Sequence, residues 1–282
     1  MTEAIAHYTI LEDGVPDGIG RFARARDTRV GRTVALRLWS RADPAAAQQF
    51  LHDARLAAKI SHPNIAAVYD VGEWNGAPYI ACEFVTGEPL RVAIGGRPMH
   101  ARRAADIAIQ IADALAEAQA AGIVHADLSV DNVITTPRGH IKLVNVGITR
   151  WSDANGSDGR RPPDAGEDLR ALGSVLVEML TGRPPVKGEV LRTGAARDTP
   201  QELSAIVARL QAARGPEAAH MAAVIASELR ACATTMGDAP EESDSRPFSA
   251  ATERRGTPLA WLLGAVALAA IGALLWLAMR SG

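Results

Sequence analysis

Hydrophobic and polar positions divide the chain into a strand-rich first part and a helical second part. RFARARDT (21–28) and TVALRLWS (33–40) alternate as strands do, around a turn with Val30, Gly31 and Arg32 at its tip. The period then changes. Between Asp43 and Ile60 a helical stripe runs through Phe50, Ala54, Ala57 and Ala58. Asp43 is placed to cap this helix and Pro44 fits its first turn, where the missing N–H would have no intrahelical partner. Pro63 ends the element. IAAVYDVGEW (65–74) and PYIACEFV (78–85) flank Asn75-Gly76, a pair that favours the positive-φ turn of a two-residue hairpin.

In the second part, ARRAADIAIQIADALAEAQAAG (101–122) predicts a long helix closing at Gly122, and 168–181 predicts another followed by Gly182. VITTPRGHIKLV (133–144) between them reads as a hairpin. Thr199-Pro200-Gln201-Glu202 has the form of a capping box with Thr199 at the N-cap. The expectation is one α+β domain of two textures, with no internal repeat.

Residues 233–257 lose all periodicity and are rich in Ser, Thr, Pro and charge, as a flexible tether would be. The 22 positions from Pro258 to Met279 carry no charge, with Trp261 and Trp276 near the two ends. A helix of that length crosses the ~30 Å hydrocarbon core of a bilayer. One transmembrane helix is therefore expected at 258–280. No signal peptide is seen at the N-terminus, and Arg254 and Arg255 precede the span while Arg280 follows it. The expected location is the bacterial inner (cytoplasmic) membrane, single-pass and tail-anchored, with the bulk in the cytoplasm. Ala265, Ala269 and Ala273 offer a small-residue spacing for packing between spans.

Composition narrows the classes. A net charge of −2 over 282 residues lacks the electrostatic footprint of a nucleic-acid binder, and no nucleic-acid partner is expected. Cys82 and Cys232 stand far apart, without metal-ligand or disulfide spacing.

The candidate chemistry lies in HADLSVDNVITTPRGHIKLVNVG (125–147). Asp127 and Asn132 are five apart in a polar loop, yet the hairpin ends in Asn145-Val146-Gly147, where an active site would want a second carboxylate. Together with ARDTRVGRTVALRL (25–38), SHPNIAAVYDVGEWNGAPYIACEFVTGEPL (61–90), GIVHADLSVDN (122–132) and DLRALGSVLVEMLTGRPP (168–185), this stretch resembles the bacterial branch of the eukaryotic-like (Hanks-type) Ser/Thr protein kinases. The resemblance implies a bilobal protein-kinase fold, with a β-rich N-lobe at 8–85 and a helical C-lobe at 86–232. The 233–257 tether and the 258–280 span follow it.

The same resemblance assigns roles. Gly20, Ala35, Arg37 and Asp53 fall on the nucleotide site. Gly20 matches only the third glycine of the phosphate loop, and an ordinary turn is the competing reading. Arg37 replaces the family's lysine and Asp53 its partner glutamate, so a compensating Arg37–Asp53 ion pair is expected, against two unrelated solvated charges. Asp127 holds the position of the catalytic base. Ser129 replaces a lysine and Ala126 an arginine. Asn132 and Asn145 fall on the magnesium position, where Asn145 supplies an amide in place of a carboxylate. ATP is thus a candidate ligand and Mg²⁺ a disfavoured one; no cofactor is fixed by the residues. Asn145 to Asp168 spans 23 positions without an APE motif, although Thr149, Ser152 and Ser157 could accept phosphate from another kinase.

Residues that hold the fold remain (Ala35, His125, Asp127, Asn132, Gly147, Asp168, Gly173), and those that handle phosphate and metal have changed. The leading expectation is a membrane-anchored pseudokinase that regulates or scaffolds a cytosolic partner or an active kinase. A slow Ser/Thr kinase transferring phosphate from ATP is the alternative. A third reading, a small-molecule phosphotransferase, rests on the likeness of HADLxxxN to the aminoglycoside-kinase loop.

Overall fold

The computed structural model describes residues 3–14, 20–40, 44–148, 164–185, 199–214 and 216–236. Strands β1 (Ala4–Ile5), β2 (Tyr8–Asp13), β3 (Gly20–Asp27), β4 (Thr33–Trp39), β5 (Val68–Trp74) and β6 (Ala77–Glu83) form one antiparallel sheet in the order β1-β2-β3-β4-β6-β5. Asn75 (φ 51°) and Gly76 (φ 78°) make the expected positive-φ turn between β5 and β6. Side chains alternate across the sheet. One face carries Ala23, Ala25, Val34, Leu36 and Ala81, packed with Ile5, Tyr8 and Ile10. The opposite face carries Trp39 and Ile80 against Phe50 and Ala54 of helix α1 (Pro44–Ala57). Ala35 and Arg37 share the parity of Trp39, and Phe22 pairs directly with Arg37, so all three also belong to this second face.

Helix α1 stops three residues before the expected Ile60. The N–H groups of Lys59 and Ile60 turn back to the carbonyls three positions earlier, at Leu56 and Ala57. Ala58 is consequently exposed rather than part of the stripe, and the buried face includes Asp53.

The helical lobe contains α2 (Leu90–Ile94), α3 (Ala101–Ala120), α4 (Ala165–Thr181), α5 (Gln201–Ala212), a 3-10 turn (Pro216–His220) and α6 (Met221–Thr235). Ile107, Ile111 and Leu115 recur one turn apart on α3 and are fully buried in the aliphatic core. A small sheet, β7 (Glu88–Pro89), β8 (Val133–Thr135) and β9 (Ile141–Leu143), confirms the hairpin expected there. Asn64, ahead of β5, donates to the Ile141 carbonyl (2.8 Å) and to Gln110 on α3 (3.0 Å). Lys142 bridges to Glu83 at the end of β6 (2.8 Å). These contacts fasten β9, and the residues that follow it, to the strand-rich lobe.

Three boundaries differ from expectation. Asp164 caps α4 by accepting from the Gly166 N–H (2.9 Å), so the helix begins before 168 and Asp168 falls in its first turn. Thr199 does not cap α5. Pro200 is extended (ψ 146°), which starts the helix one residue later, and the Ser204 N–H and hydroxyl both donate to the Pro200 carbonyl instead. Helix α6 continues to Thr235, past the expected start of the tether at 233. Arg102 of α3 donates to the Ala233 carbonyl (2.8 Å), one of the carbonyls that a helix end leaves unbonded. The rest of the tether, the 258–280 segment, the Asp43 cap, Val15 to Ile19 of the glycine loop, and Thr149, Ser152 and Ser157 lie outside the described residues. Among the described residues, no helix is long and apolar enough to cross a membrane.

Gly20 opens β3 opposite Trp39, and a Cβ there would lie 2.1 Å from the Leu38 carbonyl oxygen. The close strand approach therefore requires glycine whether or not phosphate is handled nearby. Gly20→Ala is expected to destabilise the ligand-free protein by about 1–3 kcal/mol. Thermal unfolding of the full chain measures this, and an unchanged midpoint would remove the packing role.

Candidate functional site

Two elements support the polar loop from below. Asp168, 1% exposed in the first turn of α4, accepts the backbone N–H groups of His125 (2.7 Å) and Ala126 (2.9 Å). This pins Ala126 at φ 68°, a left-handed conformation that costs a non-glycine residue roughly 1–2 kcal/mol. Arg91 of α2 grips Asp131 with two hydrogen bonds (2.8 and 2.7 Å) and reaches the nearly buried Glu178 of α4 with a third (2.8 Å). The loop is thus stapled at both ends. Ser129 gives its carbonyl to the Asn132 N–H (3.1 Å) and brings no charge.

On this base the sequence-predicted polar residues meet in one line. Arg37, opposite Phe22 on β3 and 5.2 Å from its ring centroid, donates to Asn145 Oδ1. Asn145 Nδ2 donates to Asn132 Oδ1 (3.1 Å). Asn132 Nδ2 in turn donates to the Asp127 carbonyl (2.7 Å) and carboxylate Oδ2 (3.1 Å). The polarity is forced. A guanidinium only donates, so it must meet the Asn145 oxygen; each amide then presents its nitrogen onward until a carboxylate, which only accepts, ends the row. Asn145 also stands at φ 69°, a conformation that asparagine tolerates better than most residues.

The expected Arg37–Asp53 ion pair is not among those formed between described residues. Arg37 reaches across to the loop after β9, while Asp53, 8% exposed on α1, accepts from Gln49 one turn earlier (3.1 Å). Asp53 thus has a partner within its own helix, and Arg37 has one in the opposite lobe.

Beside the row lies a cavity of about 210 Å³ between the sheet and the helical lobe. Ala35 and Val68 form part of its walls, and Cys82, Phe84 and Val85 border it where the chain leaves β6. Arg37 and Asn145 also line it. Of these, Ala35, Arg37 and Asn145 are legible as site residues in the sequence. Phe84 and Val85 are not, because nothing in an apolar run marks where a strand ends and a cavity begins. Burial pushes the Cys82 thiol up to about 11, so it is no nucleophile.

Burial also sets the loop's protonation. It raises the Asp127 carboxyl, opposed by the hydrogen bond from Asn132. It pushes Asp168 up to about 7, against the two backbone donors, and pushes His125 down to about 4.

The donor set does not suit a divalent cation. Magnesium seeks carboxylate and phosphate oxygens. Here the two amide oxygens already accept hydrogen bonds, one of them from a cation. Among the described residues, no group of three or more His, Cys, Asp and Glu could hold a metal ion.

A strand-rich lobe over a helical lobe, with the polar loop and cavity at their junction, defines a protein-kinase fold. The model of the protein tyrosine and serine/threonine kinase family matches residues 18–163. The chain belongs to that family, in its bacterial Hanks-type Ser/Thr branch. It is 35% identical over 199 residues to the probable serine/threonine-protein kinase SCO3848 of Streptomyces coelicolor, covering 61% of this chain and 30% of that protein. To the serine/threonine-protein kinase PknA of Mycobacterium tuberculosis it is 33% identical over 207 residues, covering 64% and 48%. The chain thus spans between about 30% and 48% of the length of these curated relatives. The crystal structure of the M. tuberculosis PknI kinase domain shares the fold with a TM-score of 0.64 at 24% identity, covering 81% of this chain and 98% of that one.

The shifts of His125 and Asp168 act on stability with opposite signs. His125 excludes a proton that the unfolded chain binds between about 4 and its ordinary 6.5, so its contribution rises with pH across that window. Asp168 holds a proton that the unfolded chain has released, so its contribution falls with pH between its ordinary 3.8 and about 7. His125→Phe deletes only the rising term. Its stability relative to wild type should worsen by about 3 kcal/mol from pH 4 to 6.5. Denaturant unfolding at several pH values checks this; parallel profiles would contradict the burial argument.

Proposed function

We propose that this chain is a pseudokinase: a kinase fold kept as a binding and regulatory module, with phosphoryl transfer lost. The observation that carries the reading is the amide of Asn145, whose oxygen and nitrogen are both committed to neighbouring side chains where catalysis would need a metal-binding carboxylate. Phosphoryl transfer relies on positioned charge, and removing one such stabilising group costs on the order of 10²–10³ in rate. Ser129 withdraws a second charge. What remains is the framework: Asp168 under the loop, Arg91 at its side, and a cavity between the lobes. Such a framework can present a surface to a cytosolic partner or an active kinase, and its shape can depend on what fills the cavity.

One observation favours the slow-kinase reading. Asp127 keeps its place in the loop, with its carboxylate contacted by Asn132. Incubating the full chain with labelled ATP, Mg²⁺ and Mn²⁺ separates the two. Wild type is expected at the level of Asp127→Ala, and the Ser129→Lys/Asn145→Asp double variant above both. Transfer by wild type that disappears in Asp127→Ala would replace the pseudokinase reading with the slow kinase.

We further propose that the 258–280 segment, uncharged from Pro258 to Met279, anchors the module in the bacterial inner membrane. Cell fractionation should place the full chain in the membrane pellet and a variant lacking 258–280 in the soluble fraction. Equal partitioning of the two would discard the anchor.

A further inference from the structure

Resting on the pseudokinase reading, we propose that the row from Arg37 to Asp127 stands in for a divalent cation. The cleft then takes its ligand without metal, preferring an uncharged planar heteroaromatic molecule of nucleoside type to a nucleoside triphosphate.

Charge comes first. The row begins at one guanidinium and ends at one carboxylate, with two neutral amides between them, so it is neutral as it stands. A metal ion seated between Asn132 and Asn145 would compete with the Arg37–Asn145 and Asn145–Asn132 hydrogen bonds for the two amide oxygens. It would then stand beside the Arg37 cation, and like charges at such range repel strongly in a partly buried site. The lobes are joined here by donors and acceptors that need no ion to link them.

The triphosphate faces the complementary problem. Without a metal, neutralising its charge falls to cationic side chains, since backbone N–H groups bring no net charge. Arg37 is already bonded to Asn145, and Lys142 is held by Glu83 (2.8 Å) and by the Ile65 carbonyl (3.3 Å). Ser129 supplies no cation. A ring system, by contrast, meets what the cavity offers. Its volume of about 210 Å³ falls below the usual ~300–1,000 Å³ of ligand pockets, which suits one compact molecule. Ala35 leaves room above, and Val68 and Phe84 give apolar walls. Among the described residues, the Val85 N–H and C=O make no hydrogen bond, and so can serve a ring edge.

Calorimetric titration of the full chain in detergent tests this with three probes: adenosine, ATP with EDTA, and ATP with Mg²⁺. Adenosine is expected to bind at least as tightly as ATP, and Mg²⁺ to change the ATP affinity by less than about twofold. Asn145→Asp restores a carboxylate to the row and should make ATP binding improve by about tenfold with Mg²⁺. The wild-type ratios decide the matter even if that variant folds poorly. Magnesium-ATP binding about tenfold tighter than adenosine, or no adenosine binding, overturns the inference. Phosphotransfer measured on the same preparation separates the two levels. Magnesium-dependent binding without transfer sinks this inference alone, whereas Asp127-dependent transfer sinks the pseudokinase reading beneath it.

Discussion

Both oxygens of the Asp168 carboxylate accept backbone N–H groups, from His125 and Ala126, at a depth where the side chain is 1% exposed. An unpaired carboxylate at that depth would cost far more than a hydrogen bond returns, so the loop and the first turn of α4 must meet. That meeting holds Ala126 in a left-handed conformation and sets the direction in which Asp127 leaves the loop. Asn132 bonds to Asp127, the Asn132 carbonyl accepts the Val144 N–H (3.0 Å), and Asn145 follows at once. The loop's polar groups from Asp127 to Asn145 can be traced back to this buried acid.

The cleft keeps the shape of a kinase while the groups that line it differ from those of the family's motifs. In the active family the loop and the strand lobe meet around phosphate and metal. Here they meet through a cation, two amides and a carboxylate whose hydrogen-bonding directions agree from end to end. A row with matched polarity joins the lobes by itself. Arginine serves this better than lysine would, because its rigid fork can donate to an amide oxygen while its face lies over Phe22.

Much of the framework was legible because it obeys short-range rules. The β3 and β4 alternation, the Asn75-Gly76 turn and the glycine-terminated α3 and α4 each depend on a few neighbouring residues. The failures are equally local in origin. The Thr199 cap fails because Pro200 is extended, and α1 ends early because its last turn tightens. Asp53 looked like a partner for Arg37 because a family pattern places the two positions together. The pattern does not say that Gln49 is nearer, or that Asn145 offers an oxygen from the other lobe.

By itself the sequence determined which chemical groups were available at the cleft: an arginine, two asparagines, a serine and one aspartate, set into the motifs of a kinase. Residue identity fixes charge and hydrogen-bonding capacity before any folding. Only the tertiary structure decided which of these groups touch. Arg37 and Asn145 are 108 positions apart, and Asn145 and Asn132 are 13 apart across a hairpin. Their order in space follows from strand register, from the two helices that fasten the loop, and from the cost of burying any of those groups unbonded.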